Sequence, residues 1–187
     1  MRATLPLGST WTRREEASVL RLADERDVDD ILVWRNQSAN RDVSVQQHLI
    51  SQEEHQAWWA RTRYDPTRRV LVFEHEGRPL GAVNYFDLDP VSRSGAWGFY
   101  LDSESTTAEG TALMAWIRVM QEATDYAFDH LGLDVLNGEV LEHNQAVRMM
   151  NRRFHFVEGE PDERSVDGRT IRVIPISVRR EDRRARR

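Results

Sequence analysis

The sequence predicts an α/β (α+β) domain: a mixed central β-sheet of about seven strands flanked by about four helices. Three observations lead there. Short apolar or alternating runs, such as RVLVFE at 69–74 and VLNGEVL at 135–141, lie between segments whose apolar residues recur at helical spacing. Capping and turn residues fall at the joints. The resulting order, β-α-α-β-β-β-α-β-α-β-β, interleaves the two element types and so lays helices on a sheet.

Residues 1–17 hold no sustained period, contain Pro6 and Gly8, and read as an N-terminal arm. From Ser18, Val19, Arg21 and Ala23 alternate with Leu20 and Leu22 as a first strand. Asp24 and Asp27 offer N-caps to a helix carrying Val28, Ile31, Leu32 and Trp34, which ends at Trp34-Arg35-Asn36. Ser51 and Glu54 form a capping box for the second helix, and Asp65-Pro66 stops it. The strand at 69–74 turns at Glu76-Gly77-Arg78-Pro79 into a partner over 80–86. Asp89-Pro90 turns the chain again into an aromatic strand, with Trp97, Phe99 and Leu101 alternating with Gly98 and Tyr100.

A loop of small polar residues follows, and a helix opens at Gly110-Thr111-Ala112. Trp116, Met120, Ala123, Tyr126 and Ala127 extend it to about His130, with Gly132 as C-cap. After the strand at 135–141, Asn144 caps a short helix over 145–153. Closing strands at 154–157 and 169–178 flank the acidic, turn-rich EGEPDER. The domain then spans 18–178, followed by a basic tail at 179–187.

A chain of 187 residues suits one domain with a real core. It has no cysteine, which excludes disulfides, thiolate zinc sites and an acyl-cysteine intermediate. The net charge is −5; the last nine residues carry +4, so the body carries −9. An acidic body speaks against a dedicated nucleic-acid-binding domain, and the Arg-rich tail reads as a solvated terminus. No apolar run reaches a membrane span and no signal-peptide core is present, so the expectation is a cytoplasmic protein with no membrane partner. The histidines are dispersed. His75 sits between Glu74 and Glu76 on a strand, where neighbours face opposite sides, so no metal is expected. A hydrolase triad lacks its G-x-S-x-G elbow.

A strand that ends in a short loop at a helix N-terminus aims backbone N–H groups and a positive dipole end at one point, which suits a phosphate. With that strand–loop–helix at 95–115 stand two further blocks: Glu139-Val140-Leu141-Glu142-His143-Asn144 through Phe154-His155-Phe156-Val157, and Trp34-Arg35-Asn36 with Ile50-Ser51, Glu53-Glu54-His55 and Trp58-Trp59. Together they resemble the GNAT superfamily of acyl-CoA-dependent N-acyltransferases, from Val19 to about Glu158. Amino-sugar acetyltransferases of the pseudaminic-acid type and ribosomal-protein alanine acetyltransferases look closest, the third block being more like the former.

The resemblance implies acetyl-CoA, or another short acyl-CoA, as co-substrate and a small-molecule amine as acceptor; a homodimer stays open. Backbone groups of Phe99, Tyr100 and Leu101 would meet the pantetheine amide and the thioester. Ser105, Thr106, Thr107, Ala108, Glu109, Gly110, Thr111 and Ala112 would cradle the pyrophosphate. The family's Gln/Arg-x-x-Gly-x-Gly/Ala pattern is eroded: Ser105 and Ala108 stand in one register, Thr107 in the other, and Glu104 and Glu109 add negative charge. Asn144 falls where the family's Asn contacts the pantetheine arm. Asn151 stands where many members carry the Tyr that protonates the thiolate, leaving Tyr100, Tyr85, His155 or water for that step. Trp34, Arg35, Asn36, His55 and Tyr85 fall in the acceptor region.

For the base, Glu139 is the first choice, as a carboxylate inside an apolar strand where desolvation favours its protonated form; His143, Glu142 and a water relay are alternatives. The sequence thus predicts acetyl transfer to a primary amine of a small molecule, an amino sugar or a nucleotide-linked one, by direct attack on the thioester. A protein N-terminal acetyltransferase, a degenerate CoA-binding module and an RNA-associated protein using the Arg tail are the alternatives.

Overall fold

A computed structural model describes residues 18–166 and 168–183. The chain runs β1 (Ser18–Leu22), α1 (Val28–Asn36), α2 (Ser38–Asp42), α3 (Gln52–Thr62), β2 (Arg69–His75), β3 (Arg78–Asp89), β4 (Ser94–Leu101), α4 (Ser103–Ala108) and α5 (Ala112–Asp125). A π-helical turn, Tyr126–His130, prolongs α5. Then come β5 (Val135–Leu141), α6 (Gln145–Arg153), β6 (Val157–Glu158), β7 (Asp162–Val166), β8 (Arg169–Arg179) and a 3-10 turn at Arg180–Asp182. One mixed sheet has the order β1-β2-β3-β4-β5-β8-β6, with β7 also on β8. All its pairings are antiparallel except β4 with β5.

Helices cover both faces, which is why β2 reads as a continuous apolar run. Leu71 and Phe73 join the core under α5, with Tyr85, Val119, Met120 and Leu136. Val70 and Val72 point the other way, to Val28, Ile31, Trp34 and Trp59 of α1 and α3. The predicted Asp27 cap takes a different form. Its side chain makes no bond to the first turn of α1; it accepts the Asp24 N–H at 2.8 Å and both terminal nitrogens of Arg21 at 2.7 Å. Arg21 Nε reaches Glu74 at 2.7 Å, so one guanidinium ties β1, β2 and the start of α1 together.

Several elements differ from the sequence reading. Glu76 and Gly77 both have positive φ, 52° and 75°, the two-residue turn whose twist suits a hairpin; Arg78 and Pro79 therefore begin β3. Residues 38–42 and 103–108, read as polar connections, are single helical turns too short to show a period. β7 begins within the acidic EGEPDER and runs on to Val166; in it Glu163 lies opposite Arg172, and alternating charge suits an exposed strand. The strand expected at 154–157 shrinks to Val157–Glu158, because Phe154 and Phe156 turn into the core. The solvated tail expected from Arg179 is partly docked: β8 continues through Arg179, Arg180 bonds the Leu133 carbonyl at 2.5 Å, and Arg183 pairs with Asp129 at 2.7 Å. Asp125 at the end of α5, Asp129 of the π-helical turn and Asp134 just before β5 supply the complementary charge. The arm at 1–17 and the last four residues lie outside the described residues.

Gly81 marks the closest approach of β3 to β4. A Cβ there would fall 2.4 Å from the Tyr100 carbonyl oxygen and 2.9 Å from Leu101 Cα. Both are backbone atoms and cannot rotate away. Gly81→Ala should therefore lower unfolding stability by about 3 kcal/mol, at the upper end of overpacking effects, as measured by urea denaturation.

Candidate active site

β4 and β5 run parallel for only three pairs, Ser94–Val135 to Ala96–Asn137. Beyond them β4 stays with β3, up to Gly81–Leu101, and β5 stays with β8, up to Leu141–Val173. The two strands diverge, and the backbone groups of β4 that would have bonded β5 face a gap. Such groups need partners. Asn40 Nδ2 supplies one, to the Leu101 carbonyl at 2.8 Å. The gap widens into a cavity of about 400 Å³ between the sheet, α2, α5 and α6. Gly98 and Gly138 line its two strands and Trp97, stacked on Phe99 and Phe156, packs at its inner end.

Of the residues expected to meet the acyl donor, Phe99, Tyr100, Leu101, Thr106, Thr107, Ala112 and Asn144 line this cavity. Ser105, Ala108, Glu109, Gly110 and Thr111 do not. The reason is α4. Its first N–H groups are already used: Asp102 accepts from Ser105, and Gln37 accepts from both the N–H and the hydroxyl of Ser103. The Thr106 hydroxyl is spent on the Asp102 carbonyl at 2.7 Å. Burial pulls the Asp102 carboxyl upward, but the bonds from Ser105 and Gln37 outweigh it and hold it below the usual range.

The helix that opens uncapped toward the cavity is instead α5, through Ala112. Gly110 turns the chain with φ 70°, and no side chain caps the first turn. The N-terminal N–H groups of a 14-residue helix are thus left open beside Thr107. Glu109, which threatened to repel a phosphate, is ion-paired with Arg78.

On the other side of the cavity stands α6. Asn144 caps it, accepting the Val147 N–H at 3.2 Å, and Arg148 locks it to β6 through Glu158 at 2.8 Å. Asn151 is 3% exposed and its Nδ2 has no hydrogen-bond partner. Trp116, one turn beyond Ala112 on α5, also lines the cavity with an unpartnered indole N–H. Two orphaned donors on facing helices fit a ligand that brings acceptors, as the amides and thioester of an acyl-pantetheine chain do. The sequence reading missed Trp116, although its spacing from Ala112 puts both on one helical face.

Glu139 lines the cavity, but the apolar surroundings expected for it are absent. It is exposed, and Arg164 of β7 grips both its oxygens at 2.7 and 2.9 Å. Tyr100 is the one phenol among the lining residues; burial pushes it up to about 12, against opposing pulls from Asn84 and the Arg35 guanidinium.

The other acceptor-region residues mostly serve the fold. Trp34 is 5% exposed, inside the core beneath α1. Asn36 clamps Ile50, donating to its carbonyl and accepting its N–H, each at 2.9 Å. His55 is buried, bonded to the Val28 carbonyl at 2.8 Å and stacked on Trp58; burial lowers its pKa. Tyr85 lies opposite Trp97 on the α5 face, donates to the Ala123 carbonyl at 2.6 Å, and is raised well above the ordinary phenol value by burial. None of these four lines the cavity. Neither do His143, which is exposed, Glu142, which pairs with Arg172, or His155, which bonds the Asp182 carbonyl. Arg35 stands beside Tyr100 and donates to the Gln46 carbonyl at 2.7 Å.

Among the described residues no group of three or more His, Cys, Asp or Glu could hold a metal ion, and no helix is long and apolar enough to cross a membrane.

No curated protein sequence matches this chain. The fold is similar to that of spermidine N-acetyltransferase from Vibrio cholerae, solved in complex with CoA and spermine, at a TM-score of 0.73 and 19% identity over 88% of this chain and 96% of that one. A chimera of that enzyme with hSSAT superposes with a TM-score of 0.72 at 19% identity, over the same shares of the two chains. Residues 18–157 match the model of the acetyltransferase (GNAT) domain. With the diverging strands, the open helix end and this match together, the chain belongs to the GNAT family of acyl-CoA N-acyltransferases.

Proposed function

We propose that this protein moves an acetyl or other short acyl group from CoA to a primary amine of a small molecule, with the cavity between β4 and β5 as its active site. The observation that carries the reading is the divergence of the two strands after Ala96 and Asn137, which leaves a backbone edge free to bind a ligand. The thioester supplies an electrophilic carbonyl carbon. Unpaired N–H groups of β4 near Phe99–Leu101 are placed to hold the oxygen that becomes negative as the amine adds. Collapse then expels the thiolate. Asn151 cannot surrender a proton but offers its orphaned N–H, and the Tyr100 phenol, still protonated at neutral pH, is the acid within the same cavity.

The amine's proton has two destinations, water at the cavity mouth or Glu139. Arg164 already engages both Glu139 oxygens, which favours water. Of the two features behind a degenerate CoA-binding module, the eroded phosphate loop weighs less, because Arg78 neutralises Glu109 and the start of α5 is open; Asn151 in place of the Tyr still stands. The acceptor could be an amino sugar, nucleotide-linked or not, or a polyamine such as the spermidine of the structural neighbours.

The test is amine-dependent release of CoA from acetyl-CoA, read with a thiol reagent. The chain has no cysteine, so every thiol detected is CoA. Release that ignores the amine rejects the reading. In the same assay Glu139→Gln should lower kcat by less than about tenfold; a loss of about 10²-fold or more, the scale of a positioned base, would assign the proton to Glu139.

A further inference from the structure

The acceptor side of the cavity lacks free negative charge. Among the residues lining it Glu139 is the one carboxylate, and Arg164 neutralises it. The opposite wall contains Asn40 of α2 and Val43 and Ser44, the start of the segment 43–50 that follows it. Three guanidiniums gather around this segment, behind the residues that line the cavity rather than among them, and each donates only to neutral oxygens. Arg35 bonds the Gln46 carbonyl at 2.7 Å. Arg41, between the lining residues Asn40 and Val43, bonds the Asn36 and Gln47 carbonyls at 3.1 and 3.3 Å. Arg169 bonds Gln47 Oε1 at 3.0 Å. No carboxylate among the described residues pairs with any of them.

Arg35 is the most telling of the three. It sits beside Tyr100, its Nη1 is enclosed without a hydrogen-bond partner, and its cationic neighbour is Arg41. Burial without a counter-ion pulls its pKa down. A half-buried cation with one enclosed, orphaned N–H and no counter-ion is an incompletely compensated group, and a carboxylate or phosphate is the partner whose geometry a guanidinium matches. The ammonium groups of a polyamine would find one carboxylate in the lining, Glu139, already taken by Arg164.

We infer that the acceptor is a primary amine bearing an anionic group, carboxylate or phosphate, which Arg35 and Arg41 recognise. This rests on the acyltransferase reading above.

Matched acceptors test it on the full chain with acetyl-CoA. Glucosamine 6-phosphate is compared with glucosamine, γ-aminobutyrate with its amide, and spermidine is run beside them. At least one anionic member should exceed its neutral counterpart in kcat/KM by about tenfold or more, the scale of one charge-assisted contact. The pair that shows the advantage separates phosphate from carboxylate. That advantage should shrink toward unity in Arg35→Gln, and on raising salt from about 0.05 to about 0.5 M in the parent. Arg41→Gln, exposed to less risk of misfolding, should reduce it as well, while calorimetric binding of CoA stays unchanged in both variants. Anionic members no faster than their counterparts, whether both react or neither does, overturn the inference, as does spermidine outpacing all of them. Failure of acetyl-CoA to bind would instead strike the acyltransferase reading itself.

Discussion

Ala112→Asp should raise the KM for acetyl-CoA about 100-fold, some 2.7 kcal/mol of binding, in a protein that folds as well as the parent. The two halves of that expectation come from one piece of physics. Ala112 opens α5, whose first turn has no side-chain cap. A carboxylate there meets open N–H groups and the positive end of the helix, worth about 0.3–1 kcal/mol to the fold. The same carboxylate occupies the position and supplies the charge that the proposed pyrophosphate would. Calorimetry of CoA binding and thermal melts of the two proteins check both halves. Unchanged CoA affinity would mean that the pyrophosphate lies elsewhere.

Asp27→Asn should cost about 3–5 kcal/mol of stability, the range for breaking a buried ion pair by removing one partner. Asp27 is 4% exposed and receives two bonds from Arg21 and one from the Asp24 N–H. An amide cannot accept all three, and Arg21 would keep Glu74 as its one carboxylate partner. Burial alone would raise the Asp27 carboxyl, but the Arg21 guanidinium and the Asp24 N–H more than offset it and hold it below 3.8. The sign follows: because the folded value lies below the unfolded one, this stabilisation is complete above about pH 4 and is lost as pH falls through the folded value. Urea unfolding from pH 7 to pH 2 should show this component in the parent and lack it in Asp27→Asn. Equal acid sensitivity of the two proteins would remove Asp27 from the account.

The long strands and α1, α3, α5 and α6 are legible in the sequence because each carries an apolar pattern long enough to show its period. Residues 38–42 and 103–108 are not, since a single helical turn has no period to read. The site is legible in part for a related reason. Asn144, Thr107, Ala112 and the strand at 99–101 follow from local pattern and resemblance. Which tyrosine faces the cavity depends on strand register, and register is set by pairings between distant segments. Tyr85 opposite Trp97 and Tyr100 opposite Ala82 lie on different faces of the sheet, a difference no count along either strand reveals. Glu139 fails similarly: its neighbours in sequence are apolar, but its partner is Arg164, 25 residues away.

The three-pair seam between β4 and β5 also divides the sheet into two blocks, each continuous in sequence: β1–β4 within residues 18–101, and β5–β8 within 135–179. Each block zips largely through near neighbours, a topology that favours rapid local assembly before the halves dock. Amide hydrogen exchange should accordingly report two cooperative units whose openings differ in free energy. An occupant of the cavity touches both blocks and joins them where the hydrogen-bond ladder does not. Its binding energy becomes adhesion between the halves, about 2.7 kcal/mol at a hundredfold excess over Kd. With the cavity as the proposed active site, turnover would alternately clamp and release the seam, so that the working cycle of the protein is also a cycle in the cohesion of its sheet.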